Sequence, residues 1–334
     1  MKDNRHLTVL TDGGKEIGFG HITRCIALSK AFEKKGFEIE FVVYGDSSVK
    51  SILNYKTNIF NWHKDHKKLF TFLRSNTLLL VDSLSVLDEL LLELEQKNSL
   101  IFIDDEKRRN IINKGFVLDW TILSDKREYF LPRKKNVVYL LGSRYTPLRE
   151  EFYSVKTKKI IKNVESIMVT FGGSDVRNLT PKILSFLTQN YPNIVKNVII
   201  GAGFQNLKEI KQIADMNTNL ILNADAKRVV DVMLKSDICI GSGGQTLYEL
   251  AYIGVPTIGI LLVENAKDDT LGWRDVGFLE YIGRYDDIKL LTNLKTAINK
   301  IMDKNIRKKL QRSAQNYIFS NGADLIAEAI LEHL

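Results

Sequence analysis

LTVLTDGGKEIGFGHITRCIALSKAFEKKG, residues 7–36, passes from a buried-strand pattern through a glycine-rich loop into a helix pattern. The apolar run 7–11 is short and β-branched enough for a strand, and the helix pattern at 22–35 places Ile22, Cys25, Ile26 and Phe32 on one face. Lys34 and Lys35 suit the negative end of the helix dipole, and Gly36 supplies its cap. Strand, loop and helix in immediate succession are the opening unit of a parallel α/β sheet.

The alternation continues outward from this unit. Strand runs follow at 38–43, 78–81, 100–103 and 137–141, with a helix at 86–96. The charged stretch 156–165 reads as a linker, because a fresh buried run, 166–171, opens directly behind it. Runs at 198–200, 220–222, 238–240 and 257–261 are each separated by a helical stretch, and 286–334 is nearly all helix pattern. Two Rossmann-like domains are expected, residues 1–155 and 156–334, with the final helix a candidate to pack back on the first.

Bulk properties agree with that division. The 334 residues are roughly twice a typical domain of about 150, and 44% apolar with 26% charged is ordinary globular composition. The net charge of +8 comes from lysines scattered from Lys2 to Lys309 among almost as many carboxylates, with no block of like charge. It reads as solvated surface with some attraction for a small anionic substrate, and no nucleic-acid partner is expected. Cys25 and Cys239 make neither a disulfide framework nor a zinc-ligand set. The N-terminal residues show no apolar stretch before a small-residue cleavage site, and no run of about 18 apolar residues occurs, so the expectation is a cytoplasmic chain without a membrane span.

In open α/β sheets ligands bind beyond the carboxyl ends of the strands, which directs attention to three loops. After the first strand come Asp12, then Gly18 and Gly20 of GFGH, with His21 at the helix start, where unpaired amides face an anion. The plainer alternative is a strand-to-helix turn with a capping histidine. After the run 166–171 come Gly172, Gly173, Ser174 and Asp175, the last two also ordinary helix caps for a helix expected from 176 to 187. After 238–240 come Ser242, Gly243, Gly244, Gln245 and Thr246, whose amides suit a diphosphate, with Glu249 one turn on to accept from a ribose diol. None is the GxxxxGK[ST] phosphate loop, and Thr23 stands where GxGxxG needs its third glycine.

GFGHITRCIALSKAF, FIDDE at 102–106, LREEFY at 148–153, TFGGSDVRNLT at 170–180 and SGGQTLYELAYIGVP at 242–256 together resemble the UDP-2,4-diacetamido-2,4,6-trideoxy-β-L-altropyranose hydrolases of pseudaminic acid biosynthesis. The glycine loops are also similar to those of the lipid II UDP-GlcNAc transferase. The resemblance implies a GT-B fold, with parallel sheets facing a central cleft, a UDP-sugar substrate, no metal, no cofactor, and water in place of a sugar acceptor. Carried over by motif, His21 and Asp12 are the catalytic residues, the 242–246 loop holds the diphosphate, and Glu249 contacts the ribose; from their place after strands, Gly18, Gly20, Gly172 and Gly173 are also expected to face UDP. Asp82, Asp105 and Asn265 are the expected sugar contacts. Leu84 stands where family members carry a tyrosine, and Ala266 where a related turn carries a glutamine, departures that bear on the sugar. The alternative function is a GT-B glycosyltransferase using His21 on an acceptor hydroxyl, and a third is a silent nucleotide-sugar-binding protein.

The remaining candidates have plainer expectations. Asp104, Asp105 and Glu106 order a loop or touch sugar rather than bind metal. Arg149, Glu150 and Glu151 form an ion-paired structural element, and Trp62, Trp120 and Trp273 are core or rim residues. His63 and His66, three apart among lysines, read as a solvated helix face.

Overall fold

The computed structural model describes residues 5–73 and 77–334. Every residue of β1 (His6–Gly13) is buried, which requires neighbours on both edges and cover on both faces. β1 pairs in parallel with β2 (Glu38–Gly45) and β4 (Leu78–Asp82). The sheet of this first unit runs β3 (Lys56–Ile59), β2, β1, β4, β5 (Ser99–Ile103), β6 (Lys114–Asp119), β7 (Asn136–Leu141), parallel throughout. Helices α1 (Gly20–Lys34), α2 (His66–Phe72) and α3 (Asp88–Lys97) join its strands. Leu79, Val81, Leu90, Leu91, Leu94 and Trp62 meet in one of its cores.

The second unit has a six-stranded sheet, again parallel, in the order β10 (Thr218–Leu222), β9 (Val195–Ile200), β8 (Ser166–Thr170), β11 (Ile238–Ser242), β12 (Thr257–Leu261), β13 (Leu279–Arg284). It begins with the single turn α4 (Glu150–Tyr153) and carries α5 (Leu179–Asn190), α6 (Leu207–Ile213), α7 (Ala226–Lys235), α8 (Gln245–Ile253), α9 (Lys267–Asp275), α10 (Leu290–Ile301) and α11 (Lys304–Gln315). Ile167, Val169, Ile183, Ile240, Ile260 and Ile298 are among the fully buried residues of its core.

The chain divides at 149/150, and residues 320–334, with α12 (Gly322–Leu331), belong to the first unit. α12 packs on α1, and Lys35 meets Glu328 at 3.0 Å. The expected boundary at 155/156 differs by six residues because α4 packs on α7 and α8, with Tyr153 edge-on to Tyr252. Three strands outside the expected set are present. β3 is an edge strand reading KTNI, β6 has an apolar run of only three residues behind Gly115, and β13 is interrupted by Gly283. α5 starts at Leu179 rather than 176 because Asp175 and Asn178 adopt positive φ, +44° and +53°, which a helix does not accept.

Both strand orders reverse direction at one place. In the first sheet the chain moves one way from β1 and returns to β4 beside it; in the second, β8 and β11 are the corresponding pair. The crevice beyond such a pair is where open α/β sheets receive ligands.

Candidate active site

His21 and Asp82 face each other across the switch point of the first sheet. Asp82 ends β4 and pairs in register with Thr11 of β1, while His21 is the second residue of the helix that follows β1. His21 Nδ1 lies 2.8 Å from Asp82 Oδ1. Arg24, one turn along the same helix face, donates from Nε to Asp82 Oδ2 at 2.7 Å, from Nη2 to Oδ1 at 2.5 Å, and from Nη1 to Asp105 Oδ2 at 2.6 Å. Cys25 Sγ donates to Asp82 Oδ2 at 3.4 Å. No side chain caps α1, so the capping reading of His21 gives way to a hydrogen bond with Asp82.

Burial alone would push the Asp82 carboxyl up, but Arg24 and His21 hold it well below the usual carboxylate range. An ionised carboxylate only accepts, so His21 donates from Nδ1 and keeps its lone pair on Nε2. Asp82 raises His21 from its ordinary value, against burial and the Arg24 charge, which lower it. The imidazole is therefore tied at one nitrogen and basic at the other, the arrangement needed to take a proton from water or a hydroxyl.

Asp12 sits one residue past the Thr11–Asp82 pair, at the buried end of β1 rather than in a loop. His63 Nε2 is 2.8 Å from its Oδ1, and Ser83 Oγ donates to its Oδ2. His63 is thus no solvated helix face. It precedes α2 and is packed between Trp62 and Tyr44, with only its neighbour His66 entering the helix. Trp62 and Trp273 are fully buried, and Trp120 lies under Arg24, 5.1 Å from ring to guanidinium. Asp104 is buried and accepts from the Asn110 amide at 3.1 Å. Arg24, His63 and Ser83 are the residues that sequence reasoning did not single out for the site.

In the second unit the glycine loops follow the two switch-point strands, whose ends pair as Thr170 with Gly241. Gly172, at φ +76°, and Gly173 are exposed. Asp175 turns inward and its carboxylate accepts from the amides of Leu179 at 2.9 Å and Thr180 at 2.7 Å, serving α5 rather than a ligand. Beside this loop lies an open polar hollow of about 830 Å³ lined by Ser174, Asn178, Gln205, Asn206 and Lys208 among others. Ser242 ends β11, and α8 begins at Gln245 behind Gly244, at φ +103°, with no side-chain cap, so a positive helix end stands at the strand terminus. Gly243 is pressed against Ala266 and Thr270, which ties the loop to the start of α9. Gln245 and Thr246 are half-buried and Glu249 is buried one turn into α8. Asn265 is exposed in the short turn Glu264–Ala266. Among the described residues no cluster of His, Cys, Asp and Glu is placed to hold a metal, and no helix is long and apolar enough to cross a membrane.

The crystal structure of Acinetobacter baumannii MurG superposes with a TM-score of 0.67 over 98% of this chain and 99% of that one, at 12% identity. The chain has the GT-B fold. By sequence, this GT-B chain is 26% identical over 276 residues to the UDP-2,4-diacetamido-2,4,6-trideoxy-β-L-altropyranose hydrolase of Campylobacter jejuni, covering 79% of this chain and 93% of that protein. An uncharacterized protein of Methanocaldococcus jannaschii is 25% identical over 267 residues, 75% of this chain. The chain spans about half, 54%, of that relative's length. No family model matches. These relationships are ones of distant homology.

Proposed function

We propose that this GT-B chain is a nucleotide-sugar enzyme that hydrolyses a UDP-diacetamido-trideoxyhexose to UDP and free sugar, in the making of a pseudaminic-type acid. The observation that carries the reading is His21, held at Nδ1 by Asp82 and basic at Nε2, at the strand ends where this fold receives ligands. In the proposed mechanism His21 takes a proton from water as the oxygen attacks the anomeric carbon. The bond to the UDP oxygen breaks with inversion. The second unit supplies the nucleotide side: amides of the 172–173 and 242–246 loops and the start of α8 hold the diphosphate, and Glu249 accepts from the ribose. Oriented amides of this kind stabilise the charge that develops on the leaving diphosphate. The distant homology to the Campylobacter jejuni hydrolase supports water as the acceptor.

One observation favours a transferase as the second reading. The position after Ser83 is Leu84, where the resembled hydrolases carry a phenol, and Ser83 itself is occupied with Asp12. The test is UDP release from a panel of UDP-diacetamido-trideoxyhexoses in ¹⁸O-water without acceptor, with His21→Asn alongside. Hydrolysis predicts label on the anomeric oxygen and turnover reduced about 10²–10⁴-fold in the variant, with UDP affinity retained. Intact sugar nucleotides that react only when an acceptor is added make the chain a transferase.

A further inference from the structure

Arg24 joins two carboxylates beside His21 and is the cation nearest the imidazole on the same helix. Its Nη2 is 3.1 Å from His21 Nδ1, and that nitrogen's proton is already given to Asp82, so the guanidinium meets the ring as a charge and not as a donor. The side chains of Arg24, Asp82 and Asp105 are 13%, 1% and 11% exposed, so solvent screens their fields weakly. One guanidinium against two carboxylates leaves one net negative charge while His21 is neutral, and none once it has taken a proton. Cys25, which also meets Asp82, is buried, which pushes its thiol well up and keeps it uncharged.

We propose that Arg24 is a positioning residue for the base: by occupying both oxygens of Asp82 and bridging to Asp105, it sets how much negative charge His21 meets, and so the pH above which His21 is free to accept a proton. The inference rests on His21 being the base of the proposed reaction. Without Arg24 the imidazole would face two uncompensated carboxylates and would keep its proton to higher pH. The Trp120 ring, 5.1 Å from the guanidinium, adds a cation–π contact that does not compete for its N–H groups. Arg24 meets Asp82 through two donors, from Nε and Nη2, a geometry that lysine reproduces only as a point charge.

The two charges around His21 predict opposite effects, which a merely structural role would not. Removing the cation in Arg24→Met raises the His21 midpoint by about one pH unit, and removing an anion in Asp105→Asn lowers it. Arg24→Lys restores most of the native midpoint. The measurement is a titration of the His21 ring signals in histidine-labelled full-length protein from about pH 5 to about pH 9, with the His21→Asn protein assigning that signal among the five histidines. No substrate is needed. A midpoint that does not rise in Arg24→Met, or does not fall in Asp105→Asn, overturns the proposal. If Arg24→Met does not fold, Asp105→Asn and Arg24→Lys decide by the same criteria. The acidic limb of kcat/KM on whichever sugar nucleotide is turned over should move with the midpoints. Midpoints that move as expected with no turnover on any sugar nucleotide leave the role of Arg24 standing and sink the proposed reaction; turnover with unmoved midpoints does the reverse.

Discussion

His21 owes its orientation to Asp82, and the pairing makes stability depend on pH. Asp82 is buried among Arg24, His21 and Cys25 and stays ionised far below the ordinary aspartate range. The unfolded chain takes up this proton near the ordinary value of about 4, while the folded chain does not. The unfolded state therefore binds more protons across that window, so the stability this carboxylate confers is full above it and is lost as pH falls through it. Acid unfolding should begin where Asp82 is needed, and Asp82→Asn should give a lower melting temperature at neutral pH but a flatter fall below about pH 4; an equally steep acid limb in the variant would contradict this. At this scale the sequence was partly legible. Arg24 lies three residues beyond His21 and hence on its helix face, a relation readable from spacing alone. The 61-residue separation of His21 and Asp82 is closed only by strand order. His63 was misread because its spacing from His66 suggests a helix, whereas the chain is still in the turn before α2 and the ring is buried against Trp62.

The loop between β11 and α8 depends on the absence of a side chain at Gly243. A Cβ there would lie 2.4 Å from Thr270 Oγ1 and 2.9 Å from Ala266 Cβ and O, so either the loop or α9 must shift. Overpacking of this kind costs about 1–3 kcal/mol. Gly243→Ala should therefore lower the melting temperature and weaken UDP binding together. Gly173→Ala makes a useful contrast, since an added Cβ there meets nothing within 4 Å and its stability should be unchanged. Thermal scans of the two variants check this: equal shifts would show that crowding against α9 is not what fixes the loop. The strands ahead of both glycine loops were legible because each is a short, mostly apolar run with a glycine turn behind it. β3 and β6 were not, since an edge strand such as KTNI needs no apolar run and Gly115 breaks the pattern of β6. The start of α5 was misplaced because Asp175 looks like an N-cap, yet Asn178, three residues on, is still left-handed, and the Asp175 carboxylate reaches forward to Leu179 and Thr180.

Across the whole chain, the first unit is closed by a helix that the sequence supplies after all of the second. Ala323, Ile326, Ala327 and Ile330 of α12 are buried, and Gly322 packs directly on the backbone of Thr146. Burying the two isoleucines alone is worth about 1.5–3 kcal/mol each. Removing residues 320–334 should destabilise the first unit selectively. Amide exchange would then show lost protection in β1 and α1 with β8 and β11 unaffected, and uniform loss throughout would argue against two separate cores. The alternation of strands and helices announced both sheets, but the return of the last helix was legible only as an option, because an amphipathic pattern does not state its partner. The same arrangement orders events on the ribosome. The 150–319 segment is complete before α12 has been translated, so a nascent chain can finish its second core while the first still lacks a wall. A chain stalled short of residue 320 would carry the glycine loops of a finished second sheet and, ahead of them, a His21 whose helix has nothing to lean on.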